Sequence, residues 1–172
     1  YILDGKPDGL GKMMYSEGAC YQGKWHNGAW GGEGLYVNKQ DSVFATWENG
    51  LVCGDVIYRT PQLYFEGTFI DNTPVGVGTL IQADGSSYSG YWLDGKRNGI
   101  GDILFPNGDY YSGEWVDNAF DGVGKYEYQC ENASYEGEWS KGLQHGDGYY
   151  RSPNLAYKGQ WDQGWMDGDG TL

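Results

Sequence analysis

The sequence predicts an all-β chain: an elongated, single-layer antiparallel sheet built from about eight consecutive hairpins, with one aromatic face. Three observations lead there. The spelling Tyr-x-Gly-x-Trp recurs at Tyr21, Tyr88, Tyr111, Tyr135 and Tyr157, with weaker copies at Val43 and Phe65. A residue that accepts positive φ follows each start by seven positions, and a further pair of glycines follows at eleven and thirteen. Starts at 21, 43, 65, 88, 111, 135 and 157 give a period of 22 to 24 residues, the range in which one supersecondary unit stacks on the next.

The first element of each unit is a strand over positions 0 to +4. Side chains alternate across a strand, so Tyr, Gly and Trp share one face. That face collects Tyr21, Trp25, Trp47, Phe65 and Phe69, then Tyr88, Trp92, Tyr111 and Trp115, then Tyr135, Trp139, Tyr157 and Trp161. These thirteen are the expected groove-lining residues. The second element is a tight turn. Asn27-Gly28, Asn49-Gly50 and Asp94-Gly95 carry the signal of a two-residue hairpin, and Asn72, Asn118, Gly142 and Gly164 hold the same place elsewhere. The third element is the return strand, with glycine at +11 and +13 and an apolar residue at +15, expected on the same face as the rings. Position 0 can lie opposite +13 or +15, since either register sets rings over glycines. The other face, represented by Gln22, Lys24, Glu136 and Glu138, reads as polar and solvated. Helix is opposed throughout, because each glycine costs about 1 kcal/mol in a helix interior.

Counting backwards puts Gly5, Gly9, Gly11 and Met13 in a truncated repeat over residues 1–20, with Ile2 in the Trp slot. The period leaves no internal boundary, so residues 1–172 are expected to form a single array. Val43, Ala45 and Val56 stand where other repeats have Tyr, Gly and Gly; tolerated packing adjustment is the expectation, a local change of curvature the alternative. With 31 glycines, 17% aromatics and few aliphatics, a thick globular core is not expected.

The Tyr-x-Gly-x-Trp, Asn/Asp-Gly and Gly-x-Gly spelling, repeated from end to end, resembles the MORN repeat (membrane occupation and recognition nexus). The resemblance implies successive β-hairpins in a long grooved sheet. It also implies scaffolding: cytoskeletal assemblies at basal or cortical structures of protists, which it is most like, membrane-contact proteins, myosin partners, or regulatory segments of lipid kinases and methyltransferases. A cytoplasmic, cytoskeletal or cortical location follows from it, and the odd count of three cysteines suits reduced thiols.

The residues themselves offer no catalytic set. His26 and His145 are the only histidines and fall at hairpin-loop offsets, so no nucleophile and base can be paired by spacing. Cys20 with His26, or Cys130 with His145, falls short of the four ligands of a closed zinc site; no metal and no cofactor are expected. A net charge of −13 opposes nucleic acid, whose phosphates draw on clustered cations. The same charge disfavours anionic membrane lipid and leaves an acyl chain in the aromatic groove as the lipid route. The expected function is a non-catalytic scaffold that self-associates and recruits protein partners of a cytoskeletal assembly. The alternative classes are a peptide- or helix-binding groove, which should leave Trp92, Trp115 and Trp139 accessible, and a regulatory segment of a larger enzyme. Choline cages are opposed by the glycine between Tyr and Trp, since a cage needs converging rings.

A homodimer is expected through the last repeat. It stops within its second strand, leaving an uncapped edge that invites pairing, and it adds Trp165 and Met166 in the loop where the repeat at Tyr88 has Lys96 and Arg97. Trp161, Trp165, Met166 and Leu172 are the interface candidates; the competing expectation is that Trp165 packs back on its own hairpin, as Trp30 would. In related scaffolds the resemblance implies antiparallel dimers meeting at the C-terminal end.

Overall fold

The computed structural model describes residues 2–171, and within them the all-β, antiparallel expectation holds. The chain divides into two compact units, Tyr1–Ala83 and Asp84–Leu172. In the first, β1 (Ile2–Leu3) and β2 (Lys6–Pro7) form a small hairpin, and β3 (Gly9–Met14), β4 (Cys20–His26), β5 (Ala29–Val37), β6 (Ser42–Glu48), β7 (Leu51–Arg59), β8 (Leu63–Ile70) and β9 (Thr73–Gln82) pair in sequence order. The second unit repeats this meander with β10 (Ser87–Leu93), β11 (Lys96–Leu104), β12 (Tyr110–Val116), β13 (Ala119–Tyr128), β14 (Ala133–Ser140), β15 (Leu143–Arg151), β16 (Ala156–Asp162) and β17 (Trp165–Thr171).

Each turn has positive φ at both central residues, as at Asn27 (50°) and Gly28 (87°) or Lys141 (51°) and Gly142 (86°). That is the type I′ geometry whose twist matches the flanking strands. Successive tips are tied together: Gly50 N–H donates to the Trp30 carbonyl (3.0 Å), Asn118 N–H to that of Arg97 (3.0 Å) and Gly142 N–H to that of Phe120 (2.8 Å). Where the turn ends in Asn instead of Gly, its side chain adds a second tie. Asn72 Oδ1 accepts from Val52 N–H at 2.8 Å and Asn118 Oδ1 from Arg97 N–H at 2.9 Å.

The register is 0 opposite +15: Tyr21 faces Tyr36, Tyr111 faces Tyr126 and Tyr135 faces Tyr150. Position +2 then faces +13, and the glycines line up strand after strand. Gly113, Gly124, Gly137, Gly148, Gly159 and Gly170 are consecutive partners in the second unit. Beyond this line the ladder shifts: Gly23 pairs Gly34 but Trp25 pairs Trp30, so the return strand carries a bulge.

The bulge corrects the expected facing of +11. Gly32, Gly122 and Gly146 sit at φ 71°, 104° and 57°, and a Cβ on them would meet Lys24, Glu114 and Glu138 of the opposite face. The +11 glycine therefore supplies a backbone conformation and the +13 glycine supplies room. The reading of that opposite face as polar also needs correction. Leu35, Phe44, Ile100 and Val123 lie there 40%, 46%, 66% and 57% exposed; Leu35, Ile100 and Val123 come from the return strand and not from the +1 and +3 positions that suggested polarity, and Phe44 is the +1 residue of the departing repeat.

One connecting loop has a buried carboxylate. Asp109, 9% exposed, accepts hydrogen bonds from Gln129 N (2.8 Å), Asn107 Nδ2 (2.9 Å) and Tyr126 Oη (3.0 Å). Burial opposes its charge, but these bonds outweigh burial and hold the carboxyl below its ordinary value. A depressed folded-state pKa adds stability that is present above the unfolded value of about 3.9 and is lost as pH falls through the folded one. Urea midpoints measured from pH 6 downwards should therefore drop on entering the acid range, and Asp109→Asn should flatten that drop. An unchanged slope in the variant would contradict this role.

Candidate functional site

The aromatic face is built in two layers. In the lower layer the position-0 tyrosine bends over the glycine pair, where a Cβ on Gly34 would lie 2.3 Å from Tyr21 Oη and one on Gly148 2.4 Å from Tyr135 Oη. The phenol then donates to the +3 carbonyl beside the bulge: Tyr21 to Lys24 (3.0 Å), Tyr111 to Glu114 (2.8 Å), Tyr135 to Glu138 (2.8 Å) and Tyr157 to Gln160 (3.0 Å). Burial pushes the Tyr88 and Tyr135 phenols up to about 12 and raises that of Tyr111 further, so all three stay neutral donors at physiological pH. The +4 tryptophans stand edge-on to them, as Trp139 does to Tyr135 at 5.1 Å and 86°. Their indole N–H groups donate to the preceding +13 carbonyl: Trp47 to Gly34 (3.2 Å), Trp115 to Gly101 (2.9 Å) and Trp139 to Gly124 (3.1 Å). Trp161 Nε1 is buried without such an acceptor among the described residues.

This layer is core. Tyr21, Tyr111 and Tyr135 are fully buried, and Trp92, Trp115 and Trp139 are only 7%, 2% and 6% exposed. Trp25, Trp47, Phe65, Tyr88, Tyr157 and Trp161 are buried with them, and Phe69 is half-buried. Twelve of the thirteen expected groove residues thus form a floor rather than a contact surface, and Phe69 alone among them remains partly accessible. Their accessibility, which a groove binder using those rings would need, is not found.

The more accessible layer is made by +15, except at Ile103 (7% exposed), and by a position the sequence pattern did not single out, +9, where the seven repeats have Trp30, Val52, Pro74, Arg97, Phe120, Gln144 and Met166. These residues sit on the floor. Trp30 stacks on Tyr21 at 4.4 Å and 5°, and Phe120 on Tyr111 at 3.8 Å and 20°. The Arg97 guanidinium lies 4.6 Å over the Trp115 ring and 5.7 Å from that of Tyr88. Burial lowers its pKa from the ordinary value, yet it remains charged at neutral pH. The signal that could have revealed +9 is negative: seven unrelated residues at one fixed offset beside an invariant turn.

The departing repeat shows a linked exchange. Val43 brings no ring to lie over +2 and +13, and Ala45 and Val56 occupy those positions, 1% and 3% exposed, packed with Trp47 and Val52. The three departing residues thus belong to one packed cluster. Among the interface candidates, Trp165 is 78% and Met166 39% exposed, Trp161 is 6% exposed, and Leu172 lies outside the described residues. Trp165 is therefore not folded onto its own hairpin as Trp30 is. No three His, Cys, Asp or Glu side chains gather among the described residues in a way that could hold a metal ion, and no helix among them is long and apolar enough to cross a membrane.

Similar proteins share parts of this pattern. Alsin from human is 36% identical over 85 residues, 45% of this chain and 5% of Alsin, and the mouse and rat proteins match to the same extent. The matched region thus spans about 5% of the length of these curated relatives. Among solved structures, the TCP domain of SAS-4 (dCPAP) from Drosophila melanogaster, in complex with a proline-rich motif of Ana2 (dSTIL), has a TM-score of 0.48 at 14% identity, covering 88% of this chain and 84% of that one. A family model described as MORN repeat matches residues 3–20, 21–40, 65–87, 88–110, 111–129, 135–155 and 157–172. The longest stretch it passes over, 41–64, holds Val43, Ala45 and Val56. With the turns and glycine line repeating along the matched segments and the register repeating from residue 21 onwards, this chain belongs to the MORN-repeat family.

Proposed function

We propose that this chain is a non-catalytic scaffold that binds other proteins along its repeats and self-associates through its last one, as a single array within a cytoskeletal or cortical assembly of the kind its sequence resembles in protists. Family membership supports an interaction module. The rings that would serve a ligand site are spent as packing, while +9 varies from repeat to repeat on a constant frame, which suits several dissimilar contacts. Anionic lipid is a weaker partner for a chain of net charge −13.

The observation that carries self-association is Trp165, 78% exposed beside Met166. Its equivalents just after the other turns are Ala29, Leu51, Thr73, Lys96, Ala119 and Leu143, so the repeat geometry does not call for an indole there. A large apolar pair on a hairpin tip is suited to burial against a second copy. Light scattering coupled to size-exclusion chromatography at micromolar concentration should give twice the chain mass of 19.1 kDa. Trp165→Lys with Met166→Lys should give a folded monomer; a wild type already monomeric, or a variant still dimeric, would overturn the self-association.

A further inference from the structure

In the repeat starting at 43 both layers of the aromatic face are thinned. The repeats starting at 21 and 111 place two stacked rings here, Tyr21 on Trp30 and Tyr111 on Phe120, whereas this one has Val43 and Val52. Ala45 and Val56 return only a methyl and an isopropyl group, and they lie beneath the surface. Compared with the Tyr21 and Trp30 pair of the preceding repeat, less side-chain volume is restored than was removed. The result is a cavity of about 210 Å³ lined by Tyr36, Asp41, Val43, Val52, Val56, Tyr58 and Phe69. An apolar cavity of about 150 Å³ is enough to take benzene, so the space admits an aromatic side chain.

Charge selects what accompanies that side chain. Asp41 is the one ionised group in the lining, and it also lines the adjoining hollow, which includes Glu17 and Lys39. Asn38 holds it in place: Asn38 Nδ2 donates to Asp41 Oδ2 at 3.1 Å, and Asp41 N–H donates to Asn38 Oδ1 at 2.8 Å. No salt bridge neutralises this carboxylate among the described residues. The field of a chain at −13 attracts cations to it.

We propose that this cavity is the anchor site for a peptide segment of a protein partner, receiving an aromatic side chain while an adjacent Lys or Arg of that segment pairs with Asp41. The proposal deepens the protein-binding role argued above and rests on it. The hydrophobic anchor supplies affinity and the ion pair sets direction along the groove.

The test is a titration of the ¹⁵N-labelled chain with N-acetyl-Phe-Arg-amide, N-acetyl-Phe-Glu-amide and N-acetyl-Ala-Arg-amide, followed by amide chemical shifts. Phe-Arg should move the amides of Val43, Val52, Val56, Tyr58 and Phe69 and approach saturation at millimolar concentration. Phe-Glu should bind about fivefold more weakly, the factor equivalent to about 1 kcal/mol of exposed ion pairing, and Ala-Arg should leave these amides unmoved. Asp41→Asn should bring the Phe-Arg and Phe-Glu affinities together. The triple variant Val43→Tyr, Ala45→Gly, Val56→Gly should abolish the response to Phe-Arg. Absence of shifts at Val52 and Phe69 with Phe-Arg, equal affinity for Phe-Arg and Phe-Glu in the native chain, or undiminished binding by the triple variant would each overturn the site. The scattering measurement does not depend on this cavity, so a negative titration with an intact dimer removes the anchor site alone.

Discussion

Gly137→Val is expected to lower stability by more than about 3 kcal/mol, beyond the usual range for an overpacked core. A Cβ at Gly137 would lie 2.6 Å from both the Asp147 carbonyl oxygen and Gly148 Cα, and 2.7 Å from Tyr135 Oη. Two of those three atoms are backbone of the paired strand β15, which cannot move without breaking the ladder on its far side. The control is Glu136→Val, one residue away on the exposed opposite face, where a change within about 0.5 kcal/mol is expected. Glu138 is less suitable, because its Oε1 accepts from Asp147 N–H at 3.2 Å and its loss should cost about 1 kcal/mol. Urea unfolding followed by tryptophan fluorescence gives both midpoints. Equal midpoints would mean that the faces are assigned the wrong way round.

The exchange in the repeat starting at 43 yields the second large effect, and it is an effect of coupling. Val43→Tyr alone brings a ring to where Ala45 and Val56 already have side chains, an overpacking expected to cost about 2 kcal/mol. Ala45→Gly with Val56→Gly removes buried methyl groups and leaves a cavity, expected to cost about 3 kcal/mol or more. All three changes together rebuild the pattern of the neighbouring repeats. The cycle should show a favourable coupling of at least about 2 kcal/mol, where independent sites agree within about 0.5 kcal/mol. Additive costs would indicate that the three substitutions arose separately and fill separate spaces.

Much of this architecture was legible because it depends on single residues at fixed offsets. A turn with two positive φ values selects Asn-Gly, and Tyr-x-Gly-x-Trp assigns a face by alternation alone. The register was not legible, since both candidates put rings over glycine; the bulge decides it, and no residue type marks a bulge by itself. Gly32 and Gly34 look alike in sequence, yet one answers a backbone angle and the other the Tyr21 ring. The +9 layer escaped notice because Trp30, Arg97 and Phe120 have no residue type in common, and pattern reading finds sameness. Burial of Trp115 and Trp139 was equally hidden: a single-layer sheet suggests open rings, and it is the fold of tyrosine over the glycine line that covers them. The exposed state of Trp165 could be weighed only against an alternative that Trp30 exemplifies and Trp165 does not.

Hydrogen exchange of the indole N–H protons, followed by NMR, most directly tests whether these rings are core. The protons of Trp47, Trp115 and Trp139, bonded to the Gly34, Gly101 and Gly124 carbonyls, should exchange at least about a hundredfold more slowly than in an unstructured tryptophan peptide, equivalent to about 2.7 kcal/mol of opening free energy. Exchange of all three at the rate of the free peptide would contradict a buried aromatic layer and return these tryptophans to the surface of an open groove.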